Sequence, residues 1–161
     1  MLVSNSSTII LTAKISLLSI FLNTAKKIAI TNVVYREILK KDSFENLVIK
    51  KEVENGRIKI ESIEPKFYSN IIKQFRLDEG EASTFALCIN KKYNGILTDD
   101  KELIKLCKIE GTQFITAMTV VIRLFNKKVI NKNEALEKLE RLQSYGRYSN
   151  DIHNYFRNMV R

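Results

Sequence analysis

Short apolar runs alternate along the chain with stretches whose apolar residues recur every three or four positions. The first pattern suits buried strands and the second suits amphipathic helices. Met1–Ser4 reads as a short buried strand. Ser6–Asn23 reads as one or two helices, with Ile10, Ala13, Leu17 and Ile20 at helical spacing. Ile28–Ile30 is a second strand, followed by a helix over Val33–Lys40. Lys41–Gly56 is polar and mixed in charge and suits either a helix or a loop. Arg57–Ile63 alternates weakly, as an edge strand does. Pro65 then opens a helix on which Tyr68, Ile71, Ile72 and Phe75 share a face.

The second half has a clearer rhythm. Glu79–Lys92 reads as a helix with Ala82, Phe85, Ala86 and Ile89 facing inward. Gly95–Thr98 is a buried strand, and Asp100–Ile109 is a helix with Gly111 as its C-terminal stop. Gln113–Ile115 is a strand, and Ala117–Asn126 a helix facing the core through Met118, Val121, Ile122 and Phe125. Helices over Asn133–Tyr145 and Asn150–Val160 follow. In the last of these Ile152, Tyr155, Phe156 and Met159 form one stripe, read as core packing, with a groove for a partner chain as the alternative.

Strands that alternate with helices indicate an α/β fold around a parallel sheet. The 161 residues make one domain, 1–161, with the helices from about 133 to 161 as an appendage. Gly (5) and Pro (1) are too few for a turn-rich all-β fold, and with 45% hydrophobic residues the chain can bury a core.

The net charge of +9 is spread along the chain, +4 up to Gly80 and +5 beyond it, so there is no basic tail. A globally basic fold suits a polyanionic partner such as nucleic acid, and equally a solvated lysine-rich surface. Cys88 and Cys107 fit no metal spacing and read as buried thiols in a reducing compartment, the cytoplasm. His153 is the one histidine, which excludes a two-histidine zinc motif. No phosphate-binding glycine loop is present. The apolar run Ile9–Leu22 resembles a signal core, but Lys14 interrupts it, no cation precedes it, and it is too short to span a bilayer.

In a parallel sheet the site lies at the carboxyl ends of the strands. Asn5 follows the first strand, Asp99 and Asp100 follow Gly95–Thr98, and Thr116 follows Gln113–Ile115. Glu81 and Glu37 sit early in their helices. Taken singly, each has an ordinary explanation. Asp99-Asp100 and Glu81 suit N-caps and first-turn charges, Glu37 suits a solvated helix face, and Asn5 suits a turn or cap. Taken together, carboxylates at strand ends offer Mg²⁺ or Mn²⁺ the oxygen ligands it prefers. Such an ion activates water against a phosphodiester, which needs neither histidine nor cysteine.

Val3-Ser4-Asn5-Ser6-Ser7-Thr8, Val34-Tyr35-Arg36-Glu37-Ile38, Leu77-Asp78-Glu79-Gly80-Glu81-Ala82 and Ile96-Leu97-Thr98-Asp99-Asp100-Lys101 follow one another in an order that resembles the PIN domain. This is the metal-dependent ribonuclease fold used by toxins of type II toxin–antitoxin modules. The resemblance implies a three-layer α/β/α sandwich with a mostly parallel sheet. It makes Asn5, Glu81 and Asp99 metal ligands, and Glu37, Glu81, Asp99 and Asp100 the catalytic acids. It further implies Mg²⁺ or Mn²⁺, RNA as substrate, an antitoxin as partner, a homodimer, and no membrane. Ser6, Thr98, Thr116 and Arg147 are candidate RNA contacts; within Tyr145-Gly146-Arg147-Tyr148, tyrosine and arginine can stack on bases. Asn5 departs from the family's usual aspartate and removes a charge. A PIN domain that binds RNA or protein without cutting is therefore the alternative. A phospho-aspartate receiver domain fits less well, because its acid pair follows the first strand and this pair comes late.

Overall fold

A computed structural model describes residues 1–25, 27–145 and 148–161. Among these residues the strands β1 (Leu2–Ser4), β2 (Ile28–Thr31), β3 (Ile58–Glu61), β4 (Gly95–Leu97) and β5 (Phe114–Ile115) form one parallel sheet, in the order β3-β2-β1-β4-β5. The chain winds outward from β1 to β3, returns to the centre at β4, and winds the other way. The order therefore reverses between β1 and β4, and the crevice of such a sheet opens at that reversal.

Successive strand residues face opposite ways, and the two faces carry separate cores. Ile28, Ile30, Ile58, Leu97 and Ile115 pack on one face with Ile9, Leu18, Leu22, Ile49, Val121 and Leu139. These come from α1 (Ser6–Lys14), α2 (Leu18–Ala25), α4 (Phe44–Glu54), α8 (Ala117–Asn126) and α9 (Lys132–Ser144). Val3, Ala29 and Ile96 pack on the other face with Phe85, Leu87, Leu103 and Leu106, from α6 (Glu79–Lys91) and α7 (Lys101–Glu110). Helix α3 (Asn32–Leu39) joins both cores through Val34 and Val33. This is the three-layer α/β/α arrangement expected from the sequence.

Side-chain caps set where the helices begin. Thr31 accepts from Val34 N–H, Ser43 from Asn46 N–H and Asp100 from Leu103 N–H, while Asp78 and Glu81 form a reciprocal capping box. Ser43 thereby settles the polar stretch 41–56 as a helix. Gly111 ends α7 at φ 66°. Gly95 has a different reason to be glycine, since a Cβ there would lie 2.7 Å from the Gln113 carbonyl oxygen of β5.

Of the one or two helices expected over 6–23 there are two: the chain breaks at Ser16, whose φ is 57°, and α1 and α2 meet at a bend of 110°. No single helix among the described residues is long and apolar enough to cross a membrane, and this bent pair contributes Ile9, Leu11, Leu18 and Leu22 to the core. The helix opened by Pro65 divides into a 3₁₀ turn, Pro65–Phe67, and α5 (Ser69–Gln74). Tyr68, between them, is buried, whereas Ile72 is exposed. Ile89 is also exposed, in a surface hollow with Phe67 and Ile71, although Cys88 beside it is buried. Helix α10 (Asn150–Asn158) has no buried residue. Of its apolar stripe, Phe156 packs on the core, while Ile152 and Tyr155 line a surface groove with Phe114 of β5. Cys88 and Cys107 are buried free thiols, and burial pushes Cys107 up to about 12.

Candidate active site

Ser4 of β1 pairs with Leu97 of β4, so Asn5 and Thr98 leave the sheet side by side at the reversal point. Asn5 caps α1 by position and is buried, yet its side chain makes no capping bond. Its Nδ2 donates to Ser7 Oγ at 3.2 Å, and its Oδ1 is buried with no donor among the described residues. An unsatisfied buried carbonyl costs about 1–3 kcal/mol.

On the β4 side, Asp99 N–H donates to Thr8 Oγ1 at 2.8 Å, which fastens the acidic turn to α1. Asp100 N–H donates to Thr98 Oγ1 at 3.1 Å. Thr98 is completely buried, so it shapes this turn from inside and is out of reach of RNA, contrary to the expectation for it. The Asp99 carboxylate accepts Ala117 N–H, 3.3 Å from each oxygen, at the positive start of α8. It also accepts the Tyr148 hydroxyl. Thr116 caps α8 through Thr119 N–H at 3.3 Å and stands beside Asp99.

The start of α6 brings the remaining acids in. Thr31 and Ser83 hydroxyls meet at 2.9 Å, and Ser83 donates to the Gly80 carbonyl at 2.9 Å, which ties α6 to the end of β2. Gly80 then sits against the Glu37 carboxyl: a Cβ would lie 2.6 Å from Oε1, so the carboxyl keeps this position only while residue 80 has no side chain. The Ser6 hydroxyl donates to Glu37. Burial, opposed by that hydrogen bond and reinforced by Asp78, holds Glu37 above the ordinary carboxylate range.

Glu81 is half-buried. Its Oε2 accepts Asp78 N–H at 3.0 Å, and its carboxyl is hydrogen-bonded to Asp100. Burial raises its proton affinity most. The Asp78 N–H lowers it, and the charges of Asp78 and Asp100 raise it again, so Glu81 is pushed up to about 7. Burial and neighbouring negative charge both favour the protonated form of such a carboxyl.

The acidic cluster at the carboxyl edge of the sheet therefore has two parts: Glu81 with Asp100, and Glu37 with Ser6, set against Gly80 and facing the charges of Asp78 and Glu79. Asp99 and Asn5 stand at the ends of β4 and β1. The carboxyl bonded to Glu81 is that of Asp100, whereas Asp99 turns to α8 and Tyr148. Among the described residues, no three Asp, Glu, His or Cys side chains converge tightly enough to form a metal cage by themselves. Arg147 lies outside the described residues. Sequence reasoning missed Thr8, Asp78 and the Tyr148 hydroxyl as supports. Asp78 carried a legible signal as the N-cap of a box with Glu81; the other two act across 91 and 49 residues of chain and carried none.

A family model described as a PIN domain matches residues 1–156. No curated protein and no solved structure matches the chain. The match runs through every element of the sheet and every acid of the cluster, and the chain belongs to the PIN-domain family.

Proposed function

We propose that this protein is a metal-dependent endoribonuclease of the PIN type, and that it acts as the toxin of a toxin–antitoxin pair. The observation that carries the nuclease reading is the Glu81–Asp100 carboxyl pair, on the same carboxyl edge of the sheet as the orphaned oxygen of Asn5. A fold that leaves one carbonyl unsatisfied and two carboxyls in contact has stored polar atoms suited to a cation.

The donor set fits a divalent ion. It consists of oxygens only, and Mg²⁺ is usually held through one or two carboxylates while it keeps several waters. Asn5 Oδ1, Glu81, Asp100 and Asp99 are the groups that would hold it. When bound, Mg²⁺ or Mn²⁺ supplies an activated water and offsets the charge of the phosphodiester. The residues themselves do the rest. Ser6 fixes the Glu37 carboxyl, the start of α8 and Tyr148 fix Asp99, and the capping box fixes Glu81. Glu37, whose proton affinity burial raises, is placed to accept and return a proton.

The second reading is a PIN domain that binds RNA without cutting it. Asn5 in place of an acid and the absence of a three-acid cage among the described residues favour it. Incubation of a labelled structured RNA with Mn²⁺, with EDTA and with the Glu81→Gln and Asp99→Asn variants separates the two. Metal-dependent cleavage lost in both variants supports the nuclease. Salt-dependent binding with no cleavage supports the binding module.

A further inference from the structure

An open groove of about 530 Å³ runs from Asp99 along α7 to α10. Its walls are Ile104, Phe114 and Tyr155, and Lys101 and Lys108 stand on its α7 rim. The volume is that of a small-ligand site. Tyr155 is 63% exposed. Its ring meets the Phe156 ring edge-on, with centroids 5.3 Å apart and an interplanar angle of 82°. Phe156 in turn packs on the core, so Tyr155 is a held aromatic plate in a solvent-open position. Exposed aromatic faces beside cations are the elements of single-strand recognition, in which bases stack and phosphates pair with lysine.

We propose that this groove seats the nucleobase next to the phosphodiester held at the acidic cluster, with Tyr155 as its stacking surface and Lys101 and Lys108 as contacts for the flanking phosphates. The proposal rests on the nuclease reading for the position of that phosphodiester. Continuity decides the occupant: the groove ends on Asp99, so a strand whose phosphate lies at the acids has its neighbouring nucleotide at the groove mouth. The two lysines favour a polyanion, and Asp151 offers an acceptor to an exocyclic amine of the base. Stacking uses the π-face that every base has, so the seat tolerates sequence variation.

The test uses metal-free full-length protein in EDTA and a single-stranded RNA carrying 2-aminopurine at successive positions. Quenching of 2-aminopurine reports stacking, and anisotropy reports affinity. The expected result is quenching at one position, lost in Tyr155→Ala with an affinity loss of roughly 5- to 100-fold, and kept in Tyr155→Phe. Lys101→Ala with Lys108→Ala is expected to weaken binding and to reduce the salt dependence by about one to two units of slope. Equal quenching and affinity in Tyr155→Ala and the parent would overturn the proposal. So would RNA binding unaffected by Tyr155→Ala while sedimentation shifts from dimer to monomer, which would make the groove an interface between copies. Cleavage is read separately with Mn²⁺. Tyr155-dependent quenching without any cleavage sinks only the nuclease reading, and cleavage with a silent Tyr155→Ala sinks only the base seat.

Discussion

The Glu37 carboxyl occupies the space that a side chain on Gly80 would need: a Cβ there would lie 2.6 Å from Oε1 and 2.7 Å from Oε2. These residues are on different helices, α3 and α6, and the close approach places an acid over the start of α6. A methyl at residue 80 would meet the far end of a flexible side chain, which can move aside cheaply. Gly80→Ala is therefore expected to leave the melting temperature within about 2 °C of the parent, since alanine also favours the helix by roughly 0.5–1 kcal/mol. The displaced Glu37 loses its Ser6 contact. RNA cleavage should fall by about 10²-fold, the scale associated with a 1 Å misplacement of a catalytic group. Cleavage at the parent's rate would show that the position of Glu37 is immaterial.

Glu81 makes the metal-free protein sensitive to pH. Its folded-state proton affinity is centred at about 7, against an ordinary value of 4.5. Between those values the folded chain holds a proton that the unfolded chain has released, so stability rises as pH falls from 8 to 5. Glu37 is shifted in the same direction, while Glu61, lowered by its Lys59 and Tyr93 contacts, acts mainly below this window. Glu81 is only half-buried, and discounting for solvent screening leaves about 1 kcal/mol, or roughly 2–4 °C. In EDTA the parent should melt higher at pH 5 than at pH 8. Glu81→Gln keeps an oxygen for the Asp78 N–H, so it should remove most of that difference and abolish cleavage. A parent melting temperature that is flat or rises with pH would show that burial and the neighbouring charges of Asp78 and Asp100 do not raise the proton affinity of Glu81.

The fold was legible because the sheet is parallel and both its faces are covered. Gly95-Ile96-Leu97 and Ile28-Ala29-Ile30 are short apolar runs between helical periods, and only a doubly covered sheet uses such runs. The acids were legible as strand-end and first-turn positions. What joins them was not. The Gly80–Glu37 approach, the Thr8–Asp99 bond and the Tyr148–Asp99 bond connect positions distant in the chain, and no local pattern marks them. At α10 the stripe serves both of the roles read for it, since Phe156 packs on the core while Ile152 and Tyr155 face a groove, and a stripe on a helix looks the same in either case. At Ser16 the backbone turns left-handed without a glycine, since Leu17 N–H finds the Thr12 carbonyl at 2.8 Å and the apolar run simply continues past the bend.

Asn5 sets the charge of the site. Its Oδ1 is buried without a donor, and its Nδ2 has Ser7 Oγ as partner. Asn5→Asp keeps the shape and exchanges the amide for a second acceptor, which the Ser7 hydroxyl can satisfy by donating. The new charge is buried at the end of β1, next to the strand end that carries the acidic turn of β4, so the metal-free variant should melt lower than the parent. Mn²⁺ offsets that charge, so the concentration needed for half-maximal stabilisation should fall by about tenfold, read as the Mn²⁺ dependence of the melting temperature. If cleavage appears only in Asn5→Asp, the parent is a binding module; if both cut, the amide suffices. A variant that melts lower and gains nothing from Mn²⁺ would show that residue 5 does not face the ion.

Tyr148 reaches from the segment between α9 and α10 to donate its hydroxyl to Asp99, linking the C-terminal part of the chain to the acidic turn after β4. A hydroxyl that donates to a carboxylate contributes about 1.5–3 kcal/mol, and it competes with a cation for the same oxygens. Tyr148→Phe removes the donor and keeps the ring. Asp99 still accepts Ala117 N–H, so its position at the start of α8 persists with more freedom about it. The expected outcome is a loss of a few degrees in melting temperature, tighter Mn²⁺ binding as an oxygen is released, and a lower turnover because Asp99 is less firmly aimed. The informative readout is the split between the metal concentration for half-maximal rate and the maximal rate, since a role confined to packing would move neither. If both stay at the parent's values while stability drops, Tyr148 supports the fold alone and Asp99 is aimed by α8.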